Sequence, residues 1–278
     1  MKILLTGGAG RLGKWVAREL LAGGHTVTIT DRVSPAPELL TDCSFIEADL
    51  TDLEQTRAAV AAAAPDAVIQ LAAVAVPTER TYRVNTRCDW QIMQAAAEFQ
   101  VKKIILAGSE ASYGFAFAKI PLRPQYLPVD EEHPQLPQDS YGCSKVSAEN
   151  FARAFCLVYP WLQITCLRLG LQLEPRDLSR FADAALSDAD LNRLFGYCDM
   201  RDAAGAFRSA AERGLPGFTV LNITGADTYS RIPSNEITAK YFPGTEVRTP
   251  LPGFTALVCA DRAKKLLGWE AKHSWRNH

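Results

Sequence analysis

The sequence predicts an α/β fold: a doubly wound parallel sheet of about seven strands, with helices on both faces and a small C-terminal cap. Short apolar runs alternate with helix-like segments along the chain, which is typical of strand–helix–strand units. The runs are nearly continuous in apolar residues, as expected for strands buried on both faces. A glycine-rich turn also joins the first run to the first helix-like segment.

Seven runs rich in apolar and β-branched residues predict the strands. They cover residues 3–5, 26–30, 45–48, 67–71, 103–107, 164–169 and 219–223. Five of the intervening segments predict helices, and in the first of them Leu12, Val16 and Leu20 recur at the i, i+4 spacing of a buried stripe. The predicted helices cover residues 11–22, 53–63, 84–99, 141–158 and 201–213.

Two segments interrupt this alternation. Residues 119–139 carry five prolines around an acidic cluster, and residues 225–254 carry several Pro and Gly residues between short elements. Irregular segments attached to a regular sheet often contact substrate, so we expect that role for both.

Composition excludes several classes of protein. The 278 residues are 47% hydrophobic and carry a formal net charge of −1, which argues against a nucleic-acid binder or a polybasic membrane binder. No apolar run is long enough for a transmembrane helix, and glycines interrupt the N-terminal apolar run too early for a signal peptide. The seven scattered cysteines form no C-x-x-C pair, so we expect no disulfide framework, no metal site and a cytoplasmic location.

The turn after the first strand has the pattern G-x-x-G-x-x-G. Gly7 permits the tight turn, Gly10 lets backbone amides approach a pyrophosphate, and Gly13 allows close helix–strand packing. Arg11 and Leu12 complete the turn at the helix N-terminus, where amides and the helix dipole favour an anion. The turn therefore predicts a dinucleotide cofactor.

The ends of the next strands predict further cofactor contacts. Asp31 follows Gly13 at about the distance of the acid that binds the adenosine ribose, and a carboxylate there favours NAD over NADP. Arg32 follows directly and leaves NADP open. Ligands bind at the carboxyl ends of strands in such sheets, which adds Asp49, Leu50, Leu71, Ala72 and Ala73.

Tyr141 and Lys145 stand at i, i+4 and therefore lie on the same face of a predicted helix. A phenol is a poor base at neutral pH, but a neighbouring ammonium favours its ionised form. Ser109 lies at the end of the predicted strand 103–107, where its hydroxyl is placed to hold a substrate oxygen beside the tyrosine.

These motifs resemble the extended short-chain dehydrogenase/reductases of the NAD-dependent epimerase/dehydratase family. The resemblance implies a Rossmann-type NAD-binding domain over residues 1–170 and 199–224, with the cap formed by 171–198 and 225–278. The residues that carry the resemblance occur in the family's order along nearly the whole chain. They are the turn 6–13, Asp31, Asp49, Leu50, Leu71, Ala72, Ala73, Asn85, Ser109, Tyr113, Gly114, Pro134, Tyr141, Lys145, Arg168, Leu267, Gly268 and Trp269.

The resemblance also implies residue roles. Tyr141 is expected to be the general acid/base, Lys145 to bind the nicotinamide ribose and lower the tyrosine pKa, and Ser109 to orient the reacting oxygen. Asn85 is expected to help position the cofactor, and Ala107 and Leu169 are further expected cofactor contacts.

Within the family, one feature argues against dehydration and another favours a small substrate. Dehydratases usually carry two acids after the catalytic hydroxyl, whereas Glu110 is followed here by Ala111, which argues against dehydration. The compact cap resembles uronate dehydrogenases. A sugar acid needs a cation for its carboxylate, and Arg180 or Arg176 is the candidate. Further expected substrate contacts are Val74, Ser109, Glu110 and Gln172.

The leading hypothesis is an NAD-dependent oxidoreductase that transfers a hydride to or from a small sugar, sugar acid or related polyol. One alternative is a nucleotide-sugar 4-epimerase that recycles tightly bound NAD, and another is a non-catalytic NAD(H)-sensing protein. The resemblance also implies a homodimer formed by helices 84–99 and 141–158. Its expected contacts are Trp90, Met93, Phe151 and Phe155, unless these side chains face the sheet.

Overall fold

The computed structural model describes residues 1–182 and 187–277, and the side chains at 180–182 and 188–189 fall outside that description. The strands in these ranges are β1 Lys2–Thr6, β2 Thr26–Asp31, β3 Ser44–Glu47, β4 Ala67–Gln70, β5 Lys103–Ser109, β6 Tyr126–Leu127, β7 Gln163–Leu169, β8 Gln172–Leu173, β9 Cys198–Asp199, β10 Phe218–Ile223 and β11 Glu246–Val247.

The helices within the same described ranges are α1 Arg11–Ala22, α2 Pro37–Leu40, α3 Leu53–Ala63, α4 Thr81–Glu98, α5 Ser140–Val158, α6 Asp188–Asn192, α7 Met200–Arg213, α8 Ser234–Tyr241 and α9 Asp261–Leu267. Short 3-10 helices cover Glu110–Tyr113, Pro175–Ala182 and Trp275–Asn277. None of these described helices combines the length and apolar character that crossing a bilayer requires.

Seven strands form one parallel sheet in the order β10-β7-β5-β4-β1-β2-β3. The order reverses direction between β1 and β4, which is the switch point where doubly wound sheets bind ligands. The predicted fold class is therefore confirmed.

Separate apolar clusters cover the two faces of the sheet. On one face, Val16 and Leu20 of α1 pack with Phe207 of α7. On the other face, Ile92 of α4 packs with Ala152 of α5. Burial on both sides explains why the strands read as continuous apolar runs.

Side-chain hydrogen bonds explain where several of the helices begin. Asp52 caps α3 by accepting a bond from Gln55 N, so the helix begins where the sequence predicts. Helix α4 begins three residues earlier than predicted, because the buried hydroxyl of Thr81 closes the preceding turn by donating to the carbonyl of Val76.

A third apolar cluster lies beyond the sheet and joins distant segments. It contains Tyr197 and Tyr229 from the predicted cap, but also Phe115 and Val129 from the segment after β5. The proline-rich segment 119–139 is tied to the C-terminal region, because β6 pairs with β11 in parallel.

Arg168, at the end of β7, is a buried structural anchor. Its guanidinium donates to both carboxylate oxygens of Glu149, to the hydroxyl of Tyr113 and to the carbonyl of Glu131. Such a buried charge is retained because each of these partners accepts from it. Arg168 thereby joins β7 and α5 to the segment that follows β5.

Candidate active site

A cavity of about 930 Å³ opens at the carboxyl ends of the central strands. It brings together most residues that the sequence predicts for the site. From the predicted cofactor set these are Gly7, Gly10, Arg11, Leu12, Gly13, Asp31, Arg32, Asp49, Leu50, Leu71, Ala72, Ala73, Ala107, Tyr141, Lys145 and Leu169. From the predicted substrate set these are Val74, Ser109, Glu110 and Gln172.

The glycine turn leaves no room for side chains. Gly7 has φ +64°, and a Cβ added there would lie 2.7 Å from the backbone nitrogen of Ala72. A Cβ on Gly13 would lie 2.5 Å from the carbonyl oxygen of Gly7. Helix α1 begins at Arg11, so its first amides, which have no partner inside the helix, face the cavity. This cradle fits a pyrophosphate.

Two carboxylates mark the next part of the cavity. Asp31 accepts bonds from the amides of Ala9 (3.2 Å) and Arg32 (2.7 Å). Bonds from Thr51 lower the pKa of Asp49, and Arg32 and Arg87 lower it further, so Asp49 is ionised. Carboxylates and arginines therefore lie together where an adenosine ribose would bind.

Helix α5 presents the reactive pair. Asp139 caps the helix by accepting from the amides of Tyr141 and Gly142, which fixes the first turn that carries Tyr141. The Nζ of Lys145 donates to the carbonyl of Ala107 (2.7 Å) and lies 5.5 Å from the centre of the Tyr141 ring. The ammonium is thus buried beside the phenol that it is expected to activate.

The electrostatics of Lys145 favour its charged form. Burial lowers the pKa of Lys145, but attraction to Tyr141 and Asp89 outweighs burial, and the pKa is raised. Ser109 caps the short helix after β5 by accepting from the amide of Ala111 (3.1 Å), so its hydroxyl proton remains available to a ligand. The arrangement can hold a substrate oxygen and exchange its proton.

The side of the cavity beside the reactive pair, away from the glycine turn, carries an acid and a cation. Burial raises the pKa of Glu110 to about 8, and the nearby Arg193 partly offsets that rise. The guanidinium of Arg193 lies 5.9 Å from the centre of the Phe117 ring, which is 6.0 Å from that of Tyr141. Arg193 and Phe117 therefore form a wall close to the reactive pair.

Two sequence-predicted residues, Asn85 and Arg176, do not line the cavity, and the side chain of a third, Arg180, is not described. Asn85 does not line the cavity, because its buried amide binds the backbone of Val74 and the hydroxyl of Ser144 and so fixes the loop after β4. The side chain of Arg180 lies outside the described residues. The side chain of Arg176 is 78% exposed and pairs with the largely buried carboxylate of Glu174, and Arg176 does not line the cavity.

Sequence reasoning missed Arg193 and Phe117, because both belong to irregular segments without a local pattern. Arg83 and Arg87 also line the cavity and were missed, although their i, i+4 spacing on a helix that follows a strand end was a usable signal. Among the described residues no group of three or more His, Cys, Asp or Glu side chains is placed to hold a metal ion.

Comparison with known proteins gives a consistent result. The model of the NAD dependent epimerase/dehydratase family matches residues 3–217. A probable UDP-arabinose 4-epimerase of Arabidopsis thaliana is 33% identical, over 98% of this chain and 77% of its own length. A UDP-glucose 4-epimerase of Bacillus subtilis is 26% identical, over 99% of this chain and 96% of its own.

Solved structures share the fold. The UDP-glucose 4-epimerase of Bifidobacterium longum, in complex with NAD+ and UDP, superposes with a TM-score of 0.75 at 22% identity, covering 99% of this chain and 95% of its own. A short-chain dehydrogenase/reductase superfamily protein of Agrobacterium tumefaciens with bound NAD has a TM-score of 0.74 at 21% identity, covering 99% and 93%.

Proposed function

Since this chain belongs to the NAD-dependent epimerase/dehydratase family, we propose that it is an NAD-dependent enzyme that interconverts a nucleotide sugar and its 4-epimer. The observation that carries the proposal is the convergence of Ser109, Tyr141 and Lys145 with the glycine turn 7–13 on one cavity. That convergence supplies a proton-exchanging group at one end and a pyrophosphate cradle at the other.

The chain's residues fit NAD as the cofactor. The cradle at Gly7 and Gly13, which any Cβ would fill, would hold the pyrophosphate, and Asp31 would bind the adenosine ribose. Lys145 would bind the nicotinamide ribose. When bound, NAD supplies the acceptor for a hydride from a carbinol carbon.

The remaining chemistry belongs to protein side chains. Tyr141 accepts the hydroxyl proton as the carbinol becomes a carbonyl, and it returns that proton when the carbonyl is reduced. The buried ammonium of Lys145 favours the phenolate that this exchange requires. Ser109 donates to the same oxygen and holds it in place.

Similarity to the UDP-arabinose and UDP-glucose 4-epimerases supports a nucleotide sugar as the substrate. A nucleotide sugar carries a diphosphate, and the substrate end of the cavity offers Arg193 for an anionic group. Arg193 is therefore our candidate for the anion-binding residue; the sequence named Arg180 or Arg176 for the carboxylate of a sugar acid, and the side chain of Arg180 lies outside the described residues.

A second candidate is the NAD-dependent oxidation of a small sugar or sugar acid. The alignment with the Arabidopsis relative extends over 328 positions whereas this chain has 278 residues, so the relative carries segments without a counterpart here. Because this chain has fewer residues around the same sheet, a smaller substrate is favoured. Arg193, which is close to the reactive pair, would then bind a carboxylate on the sugar itself.

One substrate panel distinguishes the two candidates. The purified protein is incubated separately with UDP-glucose, with UDP-arabinose and with each of a set of free sugars and uronates, with and without added NAD. Epimer formation without added NAD supports the epimerase. Steady accumulation of NADH with a free sugar acid would refute the epimerase proposal and support the dehydrogenase.

Tyr141→Phe tests the chemistry shared by both candidates. We expect turnover to fall by about 10²- to 10⁴-fold, the usual contribution of a general acid/base, while NAD binding stays nearly unchanged. Tyr82→Phe is the matched control, because the Tyr82 hydroxyl lies on the surface and contacts only Ser147 among the described residues. Survival of activity in Tyr141→Phe would show the mechanism to be wrong.

The proposed assembly is a homodimer in which α4 and α5 form the interface, with the predicted NAD-binding and cap regions in each subunit. Trp90 supports it, because 43% of its surface is exposed and its ring packs edge-on against Phe151 and Phe155. Met93 faces the sheet and is fully buried, so it is not available for such a contact. Light scattering measures the state directly.

A further inference from the structure

Asp89 is a buried carboxylate behind the reactive pair. It lies on α4 one turn after Asn85 and is 4% exposed. Residues four apart share one face of a helix, and Asn85 donates to the hydroxyl of Ser144, the residue before Lys145. The face of α4 that carries Asp89 therefore packs against the turn of α5 that carries Lys145.

The two carboxylate oxygens of Asp89 have different environments. Oδ1 accepts a bond from Gln70 Nε2 at 3.0 Å, and Gln70 in turn accepts from the hydroxyl of Thr6. Oδ2 is buried and has no hydrogen-bond partner among the described residues. A buried carboxylate with an unpartnered oxygen is costly, and burial raises the pKa of Asp89; Lys145 is the nearby cation that acts against that rise.

Among the described residues, the titratable groups that act most strongly on Lys145 are Tyr141 from α5, Asp89 and Cys88 from α4, and Cys166 from β7. Burial raises the pKa of Cys88 to about 12 and also raises the pKa of Cys166, so both thiols stay neutral. Asp89 is the only carboxyl group among these four, and the ordinary pKa of a carboxyl group is far below that of a thiol or a phenol.

We propose that Asp89 is a positioning residue of this site: its carboxylate stabilises the buried ammonium of Lys145 and sets the pH range in which Tyr141 exchanges protons. The inference rests on the roles proposed above for Tyr141 and Lys145. An anion favours the protonated form of every group around it, so its removal lowers both pKa values of the coupled pair.

Asp89→Asn tests this, because the amide keeps the size of the side chain and its oxygen still accepts from Gln70. We expect the pH profile of kcat/KM to move to lower pH by roughly 0.5 to 1 unit. Glu98→Gln is the matched control: it removes the same charge from the surface end of the same helix, and its profile should stay in place. A drop in activity without a pH shift would mean that Asp89 is merely structural and would overturn the proposal.

A second readout does not depend on the substrate. The phenolate absorbance of Tyr141 is titrated in the NAD-loaded protein, as the difference between each protein and its Tyr141→Phe counterpart. Asp89→Asn should lower the midpoint, and an unchanged midpoint would refute the inference. If the unaltered protein converts no sugar of the panel, the proposed function fails, but this titration still decides the role of Asp89.

Discussion

Substitution of Arg193 tests which cation recognises the substrate. Arg193→Gln removes the charge at the substrate end of the cavity while keeping a polar side chain of similar reach. Arg193 is partly buried, faces Glu110 and Phe117, and forms no ion pair with the described side chains within 4 Å. Its hydrogen-bonding capacity is thus available to an anionic ligand.

The expected size of the effect follows from that environment. A hydrogen bond between charged groups contributes about 1.5 to 3 kcal/mol, and each 1.4 kcal/mol is tenfold in affinity, so binding weakens by about 10- to 150-fold. The arginine contacts a group that does not react, so KM should rise while kcat stays within about twofold.

The assay compares steady-state kinetics on whichever anionic substrate the panel identifies. Arg176→Gln is the control, because Arg176 is 78% exposed and Glu174, its partner, keeps its ion pairs with Arg11 and Lys14 when Arg176 is replaced. Thermal unfolding of both variants checks the fold. A KM for Arg193→Gln within twofold of the unaltered value, or a larger loss in Arg176→Gln, would refute the assignment of Arg193.

Two predictions concern stability. Arg168→Met removes both guanidinium hydrogen bonds of the fully buried carboxylate of Glu149, which keeps only a 3.7 Å contact with Arg153 among the described ion pairs. We expect the free energy of unfolding in urea titrations to fall by about 3 to 5 kcal/mol, whereas Arg57→Gln, which breaks two ion pairs on the surface, should lower it by less than about 1 kcal/mol. Glu110 has a folded-state pKa of about 8 against an ordinary 4.5, so the unfolded chain releases this proton first. The free energy of unfolding should therefore decline from pH 4.5 to about 8, and Glu110→Gln should remove that part of the decline; identical pH dependence in both proteins would contradict it.

The sheet and its cofactor cradle could be predicted because their signals are local. Strands buried on both faces read as apolar runs, and Gly7 and Gly13 are needed wherever a turn brings two backbones within the width of a Cβ. The pair Tyr141 and Lys145 follows from helical spacing alone. Each of these features depends on residues that are close in sequence.

The substrate end could not be predicted in the same way, because its residues meet only through the tertiary fold. Arg193 lies in an irregular segment and reaches the cavity because the third apolar cluster joins residues before α5 to residues near the C-terminus. Asp89 carries no local signal either, since its proximity to Lys145 depends on how α4 packs on α5. Asn85 was recognised, but its buried amide serves the loop after β4.

The position of Arg193 also bears on which reaction the site can complete. A 4-epimerase must return the hydride to the opposite face of the ketone, so the sugar ring has to turn while the rest of the substrate stays bound. An anion-binding arginine is compatible with this turning of the ring only if it binds a group outside the ring, such as a phosphate. The guanidinium of Arg193 and the centre of the Tyr141 ring lie 5.9 Å and 6.0 Å, respectively, from the centre of the Phe117 ring, so Arg193 is a candidate to bind either a carboxylate on the sugar ring or the nearest phosphate. If Arg193→Gln weakens binding of free uronates but not of UDP-sugars, Arg193 binds a group on the sugar ring. A ring bound in this way cannot turn easily, which favours oxidation without return of the hydride. If the substitution instead weakens binding of UDP-sugars but not of free uronates, Arg193 binds the phosphate, and the sugar ring is free to turn its second face toward the cofactor.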